Sequence, residues 1–350
     1  MKLGLVLGYA GGADGMNLAL VKEAEALGYD SVWTSEAYGS DAVTAAAWVL
    51  AQTTKINVGT AIMQMPARTP AMAAMTAMTL QDLSQGRFIM GLGASGPQVV
   101  EGWHGVPYGR PMTRTKEYIS IIRKILERKE PVTHEGYHYQ IPYKGEGATG
   151  LGKPLKSILH GDPSLKIVTA SITDAGMRTS GEVADGVIPV WMDPSRYDLF
   201  EPFLEEGFAK VPGKSLENFE VTPFVSVVMG NDIDACRQPV KDNLALYIGG
   251  MGARAKNFYN DYAIRLGYAD EAKVIQDLYL SGKKKEAAAQ VPDSLVDETA
   301  LVGPREHIAE QLKAWKAASE KRHISSLLVR PMDTTGVDAS VLRVLAEEVL

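Results

Sequence analysis

The chain has a single cysteine, Cys236, in 350 residues. No disulfide can close within it, so a reducing compartment is expected and the location is read as cytoplasmic. Cys236 lies in a polar helical stretch after Asp232 and Asp234 rather than at a strand end, which argues against a nucleophilic role. No run approaches the ~20 apolar residues that span a bilayer. The start of the chain enters an apolar run at 3–7 without a charged region or a small-residue cleavage site, so no signal peptide is read. Neither a membrane nor a nucleic-acid partner is expected. The formal net charge is -6, and Lys283-Lys284-Lys285 reads as a solvated helix end. The histidines lack metal-ligand spacing: His134 and His138 sit in an extended Gly/Tyr-rich stretch, and no metal site is expected. A Walker loop, a nucleophile elbow and a Rossmann fingerprint are all absent, since Gly8-Tyr9-Ala10-Gly11-Gly12 has the wrong glycine spacing.

Short apolar runs alternating with helical patterns make up the rest. Strands are expected near 3–7, 31–34, 56–60, 87–91, 166–169, 186–189, 221–228 and 325–329. Helices are expected over 17–27, 41–52, 69–83, 113–127, 174–183, 198–209, 233–248 and 337–349. Strand-then-helix repetition builds a parallel sheet. Repeated eight times, it predicts an α/β fold, a (β/α)8 TIM barrel with its ligand at the carboxyl ends of the strands. One domain over 1–350 accommodates the length, with an excursion at 129–164 after the fourth strand and a helical insertion at 254–320 after the seventh. Gly28 and Gly86 suit left-handed helix ends. Met72, Met75 and Met78 recur at helical spacing and are expected in the core.

Three strand ends carry candidate chemistry. After the fourth strand come Gly93-Ala94-Ser95-Gly96, where missing side chains let a flat ligand approach the backbone, and then His104 between Trp103 and Gly105. His104 is either structural or a group at the mouth. After the second strand, Glu36 is either a desolvated carboxylate fit for proton transfer or one that caps a helix or pairs with an arginine. After the fifth, Ala170-Ser171-Ile172-Thr173 precede a helix whose free N–H groups suit an anion, unless Thr173 or Asp174 caps it. Arg114 is read as a partner for an anionic ligand or for its own helix.

These strand ends resemble the luciferase-like monooxygenase superfamily, in particular its oxidoreductases that use the deazaflavin coenzyme F420. That branch includes methylenetetrahydromethanopterin reductase and the F420-dependent glucose-6-phosphate and secondary-alcohol dehydrogenases. The resemblance spans nearly the whole chain. It is most specific at Ser35-Glu36-Ala37-Tyr38-Gly39, along 93–105, and at Gly181-Glu182-Val183-Ala184-Asp185-Gly186-Val187.

The resemblance implies F420 (alternatively FMN) lying in the barrel mouth, and a non-prolyl cis peptide between Ala61 and Ile62. It implies coenzyme contacts at Ser35, Ala61, Ile62, Met63, Gly93, Ala94, Ser95, Gly96, Ala170, Ser171, Ile172, Thr173, Gly176 and Met177. Proton handling would fall to Glu36, Tyr38 or His104, and Tyr9, Trp191, Met192 and Asp193 would line the substrate side. The expected activity is hydride transfer between the deazaflavin C5 and a small organic substrate, by a homodimer. An FMN-dependent two-component monooxygenase and a non-catalytic cofactor-binding subunit are the alternatives. Ala37 and Gly96 stand where the sugar-phosphate dehydrogenase has a histidine and a glutamate, which disfavours that substrate. Thr173-Asp174 replaces the family's Gly-Pro.

Overall fold

Short polar side chains begin many of the helices. Asn17, Asp41, Thr69 and Thr173 each accept a backbone N–H of the first turn, which has no partner within the helix. The computed structural model describes residues 1–8, 17–332 and 339–350. Tyr9 and most of the glycine-rich loop lie outside the described residues.

The barrel strands are β1 (Lys2–Val6), β2 (Ser31–Thr34), β3 (Asn57–Thr60), β4 (Phe88–Gly93), β5 (Ile167–Ala170), β6 (Gly186–Ile188), β7 (Phe224–Met229) and β8 (Ser326–Pro331). All pair in parallel, from β1 through β6 in chain order and then β7 with β8 and β8 with β1. The seam between β6 and β7 is made by Glu220–Val221, which pairs with β6, and by a bridge from Val190 to Phe224. One continuous strand was expected over 221–228. Pro223 interrupts it, because proline has no N–H for a ladder. This is the (β/α)8 barrel that the alternation predicts.

The helices that position the mouth are α1 (Leu18–Leu27), α2 (Ala42–Gln52), α3 (Pro70–Ser84), α4 (Pro111–Glu127), α5 (Asp174–Val183), α6 (Glu201–Phe208), α7 (Ile233–Ala245), α8 (Phe258–Arg265), α9 (Arg305–Glu320) and α10 (Ser340–Val349). One buried apolar cluster runs from Leu3 to Ala346 and includes residues of the insertion. Gly28 ends α1 at φ 88°, as expected. Cys236 is buried in α7, and burial pushes its thiol pKa up. Among the described residues, no helix is long and apolar enough to cross a membrane.

Several expectations are corrected. Met72 and Met75 are 52% and 53% exposed, while Met78 is buried. The barrel-facing stripe of α3 is instead Ala73, Ala74, Ala77 and Leu80, small residues that let the helix lie close to the strands. The helix expected over 233–248 ends at Ala245 and continues as a π turn, Leu246–Gly250. The helix expected over 198–209 opens as a 3-10 turn, Tyr197–Leu199. An additional strand, Ala300–Gly303, pairs outside β7. It directly follows the helix Asp293–Thr299, so no turn residue marks its start. The excursion holds a small hairpin, His134–Glu135 with Gln140–Ile141.

Arg87 ties helix ends together at the other face of the barrel. Its guanidinium donates to the carbonyls of Leu50 (2.9 Å), Ile56 (2.9 Å), Thr53 (3.2 Å) and Ser84 (3.1 Å), and to Thr53 Oγ1 (3.1 Å). A cation at these C-terminal carbonyls is favoured by the helix dipoles as well. Replacing Arg87 with Met is expected to cost about 2–4 kcal/mol, since several carbonyls lose a charged donor. Urea unfolding checks this: the midpoint falls with the slope unchanged. A shift below about 0.5 kcal/mol would mean that water replaces these bonds without loss.

Candidate active site

At the end of β2, Glu36 accepts four hydrogen bonds. Ala42 N–H, at the start of α2, donates at 3.0 Å, and Gln64 N–H, just beyond β3, at 2.7 Å. Arg68 completes a fork, Nη1 at 2.6 Å and Nη2 at 3.0 Å. Arg68 also pairs with Asp41, and its carbonyl accepts the Tyr118 hydroxyl at 3.2 Å. Burial disfavours the Arg68 charge, but Glu36 and then Asp41 outweigh it and hold its pKa above the usual value. Asp41 is also opposed by burial, yet Thr44 and Arg68 hold its carboxyl below the usual range.

The side chain of Glu36 is 6% exposed, and both its oxygens are engaged. Of the two expected roles, proton transfer or anchoring, the geometry favours anchoring: both oxygens are held in a fork by the half-buried Arg68 guanidinium and by two backbone N–H groups. Arg68 is a residue the sequence reading missed. Its signal was an arginine after the third strand, beside a carboxylate after the neighbouring second one.

Next to this anchor, the Ala61–Ile62 peptide is cis. The short strand Met63–Gln64 that follows pairs with the end of β4. Met63 and Gln64 are buried, and Gln64 Nε2 donates to Ala37 O at 2.8 Å. Gln64 Oε1 is enclosed and has no hydrogen-bond partner. Past β4, Ser95 adopts a left-handed φ of 60°. A short helix, Pro97–Gly102, then leads to His104, which is half-buried with Nε2 enclosed and unpartnered.

Arg114, in the first half of α4, is 6% exposed. Its Nη2 donates to Pro107 O at 2.7 Å, and its Nη1 has no partner. Tyr38 is 60% exposed at the rim. Ser35 Oγ donates to Leu7 O at 3.1 Å.

A narrow cleft opens between the ends of β4 and β5. Gly93, Ala94, Ala170, Ser171 and Gly176 line it, joining residues expected from two separate strand ends. Met65, Met112 and Thr115 line it too, and their positions gave no sequence signal. A Cβ on Gly176 would meet Ser171 Oγ at 1.7 Å, so glycine is required for the serine to seat against α5. Met177 is buried in the core beneath this turn, so contact with a ligand above it is corrected.

The N-terminus of α5 presents the N–H groups of Asp174 and Ala175 without intrahelical partners. Thr173 caps it, accepting Gly176 N–H at 3.1 Å. The negative charge of Asp174 is met by Arg265 of α8 at 2.8 Å. A larger cavity, about 230 Å³, lies at the opposite end, among the strand starts of Lys2, Ser31, Asn57 and Ser326. Chemistry in such barrels belongs to the carboxyl ends, where the helix N-termini point.

The sequence matches the family described as luciferase-like monooxygenase over residues 8–320. The chain belongs to this family. It is 44% identical over 322 residues to a Mycobacterium tuberculosis protein named "Putative coenzyme F420-dependent oxidoreductase", covering 91% of this chain and 92% of that one. The coenzyme F420-dependent tetrahydromethanopterin reductase of Methanopyrus kandleri superposes with a TM-score of 0.78 at 20% identity, over 99% of this chain and 98% of that one. An F420-dependent secondary alcohol dehydrogenase in complex with an F420-acetone adduct superposes at 0.74 with 18% identity, over 99% and 98%.

Arg68→Met is expected to destabilise the fold by about 3–5 kcal/mol, because it leaves Glu36 as an uncompensated buried charge. A pH series adds a signature. Asp41 ionises below its unfolded value, so its contribution is present above about pH 4 and is lost as pH falls through the folded pKa. Chemical denaturation between neutral and acid pH should show a shallower acid decline in Arg68→Met than in the parent chain. Parallel declines would remove Arg68 as the cause.

Proposed function

We propose that the chain is an F420-dependent oxidoreductase that transfers a hydride between the coenzyme and a small organic substrate. The observation that carries the coenzyme choice is the 44% identity, over about nine-tenths of both chains, to a relative named for F420. The site residues fit such a group. The enclosed acceptor Gln64 Oε1 suits an N–H on a planar ring edge. Gly93, Ala94 and Met65 supply apolar surface for a ring face, and the α5 N-terminus with Ser171 suits a phosphate. Arg265 neutralises Asp174, the departure that would otherwise repel that phosphate.

When bound, a deazaflavin supplies two-electron hydride chemistry that reacts poorly with oxygen. The chain's own residues orient it and keep the cleft dry. His104 is the group proposed to hold or move a proton, since its Nε2 is enclosed and unpartnered whereas Glu36 is tied to Arg68. In His104→Asn, turnover should fall about 100-fold in a steady-state assay. We also propose a cytoplasmic homodimer, with exposed Trp48, Met72 and Met75 on the adjacent helices α2 and α3 as the self-contacting surface. Sedimentation of the purified chain tests that state.

The deciding experiment is fluorescence titration with F420 and, separately, with FMN. F420 is expected to bind at least about tenfold more tightly, a difference of roughly 1.4 kcal/mol. Gly176→Ala, which displaces Ser171, should weaken F420 by a similar factor while the circular dichroism stays unchanged. A preference for FMN would overturn the F420 reading and favour the oxygen-using monooxygenase.

A further inference from the structure

Trp191 departs from ordinary backbone geometry just beyond β6. Its φ is 52°, a left-handed value that a bulky aromatic residue rarely adopts. Outliers of this kind persist only where the surroundings enforce them, and they gather at ligand sites. The enforcing contacts here come from the insertion. The Tyr262 hydroxyl of α8 donates to Trp191 O at 3.2 Å, and Tyr262 is itself buried against Phe200, ring centroids 5.9 Å apart.

The indole packs edge-to-face on Tyr247 (5.6 Å, 88°) and tilted on Tyr259 (5.3 Å, 54°). Those tyrosines also meet each other at 4.8 Å and 78°. All three residues are half-buried, so the cluster is neither sealed in the core nor fully exposed.

The tyrosines are held rigidly. Tyr247 sits in the π turn, a feature that recurs at functional sites. The buried Asn257 side chain donates to Tyr247 O at 3.0 Å and to Ile248 O at 2.9 Å. Asn260 donates to Ile248 O at 3.2 Å and to Ala272 O at 2.9 Å. Among the described residues, two charged groups close in the fold, Asp193 and Arg265, are already engaged. Asp193 Oδ1 accepts Ser195 N–H and Oγ–H, each at 2.8 Å, and Arg265 holds Asp174 and the Ile172 carbonyl. Met192, expected on the substrate side, is buried beneath them.

We propose that Trp191, Tyr247 and Tyr259 form an aromatic wall at the barrel mouth that selects uncharged, planar, aryl-conjugated carbonyl compounds. That these are substrates rests on the oxidoreductase reading; that the wall binds them does not. A flat conjugated ring stacks on such a wall, and a puckered saturated ring of the same size makes poorer contact. Asp193 and Arg265, the charges named above, are engaged elsewhere and do not favour a charged ligand there.

The test is calorimetric titration of the full chain with 4-phenyl-3-buten-2-one and with 4-cyclohexyl-3-buten-2-one, alongside F420 titration of every variant. The parent chain should prefer the phenyl compound by at least about tenfold. Tyr247→Leu and Tyr259→Leu should each reduce that preference about threefold or more, while Tyr247→Phe and Tyr259→Phe retain it. F420 affinity should stay within about twofold in all four. Equal binding of the two compounds by the parent chain would overturn the wall, as would Leu variants that weaken both compounds alike. If the phenyl preference stands and F420 does not bind, the wall survives and the oxidoreductase reading fails.

Discussion

The ion pair between Glu36 and Arg68 is the constraint on which the mouth of this barrel depends. It joins the ends of β2 and β3 to the beginnings of α2 and α3 through one carboxylate. Removing both charges from water is expensive, and the mutual attraction offsets this only when geometry is good and the remaining valences are filled. Here the fork is bidentate, both remaining acceptor sites take backbone N–H groups, and Asp41 adds a second carboxylate to the guanidinium. Such a cluster tolerates little displacement. It therefore fixes Gln64, whose side-chain Oε1 is enclosed and has no hydrogen-bond partner.

Much of this architecture was legible because its signals are local. Alternating apolar runs and helical patterns gave the strands and helices, and the helix starts expected at 17, 41 and 69 are where Asn17, Asp41 and Thr69 cap their helices in the structure. The cleft between Gly93 and Ser171 was legible in the same way, since small residues after a strand and before a helix have a direct steric meaning.

What was not legible is set by tertiary partners. Glu36 by itself reads equally as an acid or as an anchor, and Arg68 decides it from 32 positions along the chain. The methionines of α3 have helical spacing, but spacing does not say which face meets the barrel. The alanines chose it because the helix packs close. The break at Pro223 and the strand Ala300–Gly303 follow from how the barrel closes and from what covers β7, neither of which a single segment encodes. Trp191, Tyr247 and Tyr259 are similarly silent apart and meaningful together.

The insertion after β7 links the two halves of the mouth through one helix. Along α8, Tyr259 and Tyr262 brace Trp191, by ring contact and by hydroxyl. Arg265, at the end of the same helix, pairs with Asp174 and donates to the carbonyls of Ile172 at 3.0 Å and Leu199 at 2.6 Å. Tyr262 lies under the Arg265 guanidinium at 5.7 Å, so the two anchors also support each other. The turn suited to an anion and the aromatic wall are thus held by residues within about two helical turns. A packed interior transmits strain rather than absorbing it. A displacement of α8 that changed the wall would therefore also move Ile172 and Asp174. The aromatic cluster beyond β6 and the start of α5 are thus joined through one helix of the insertion as well as through the barrel strands.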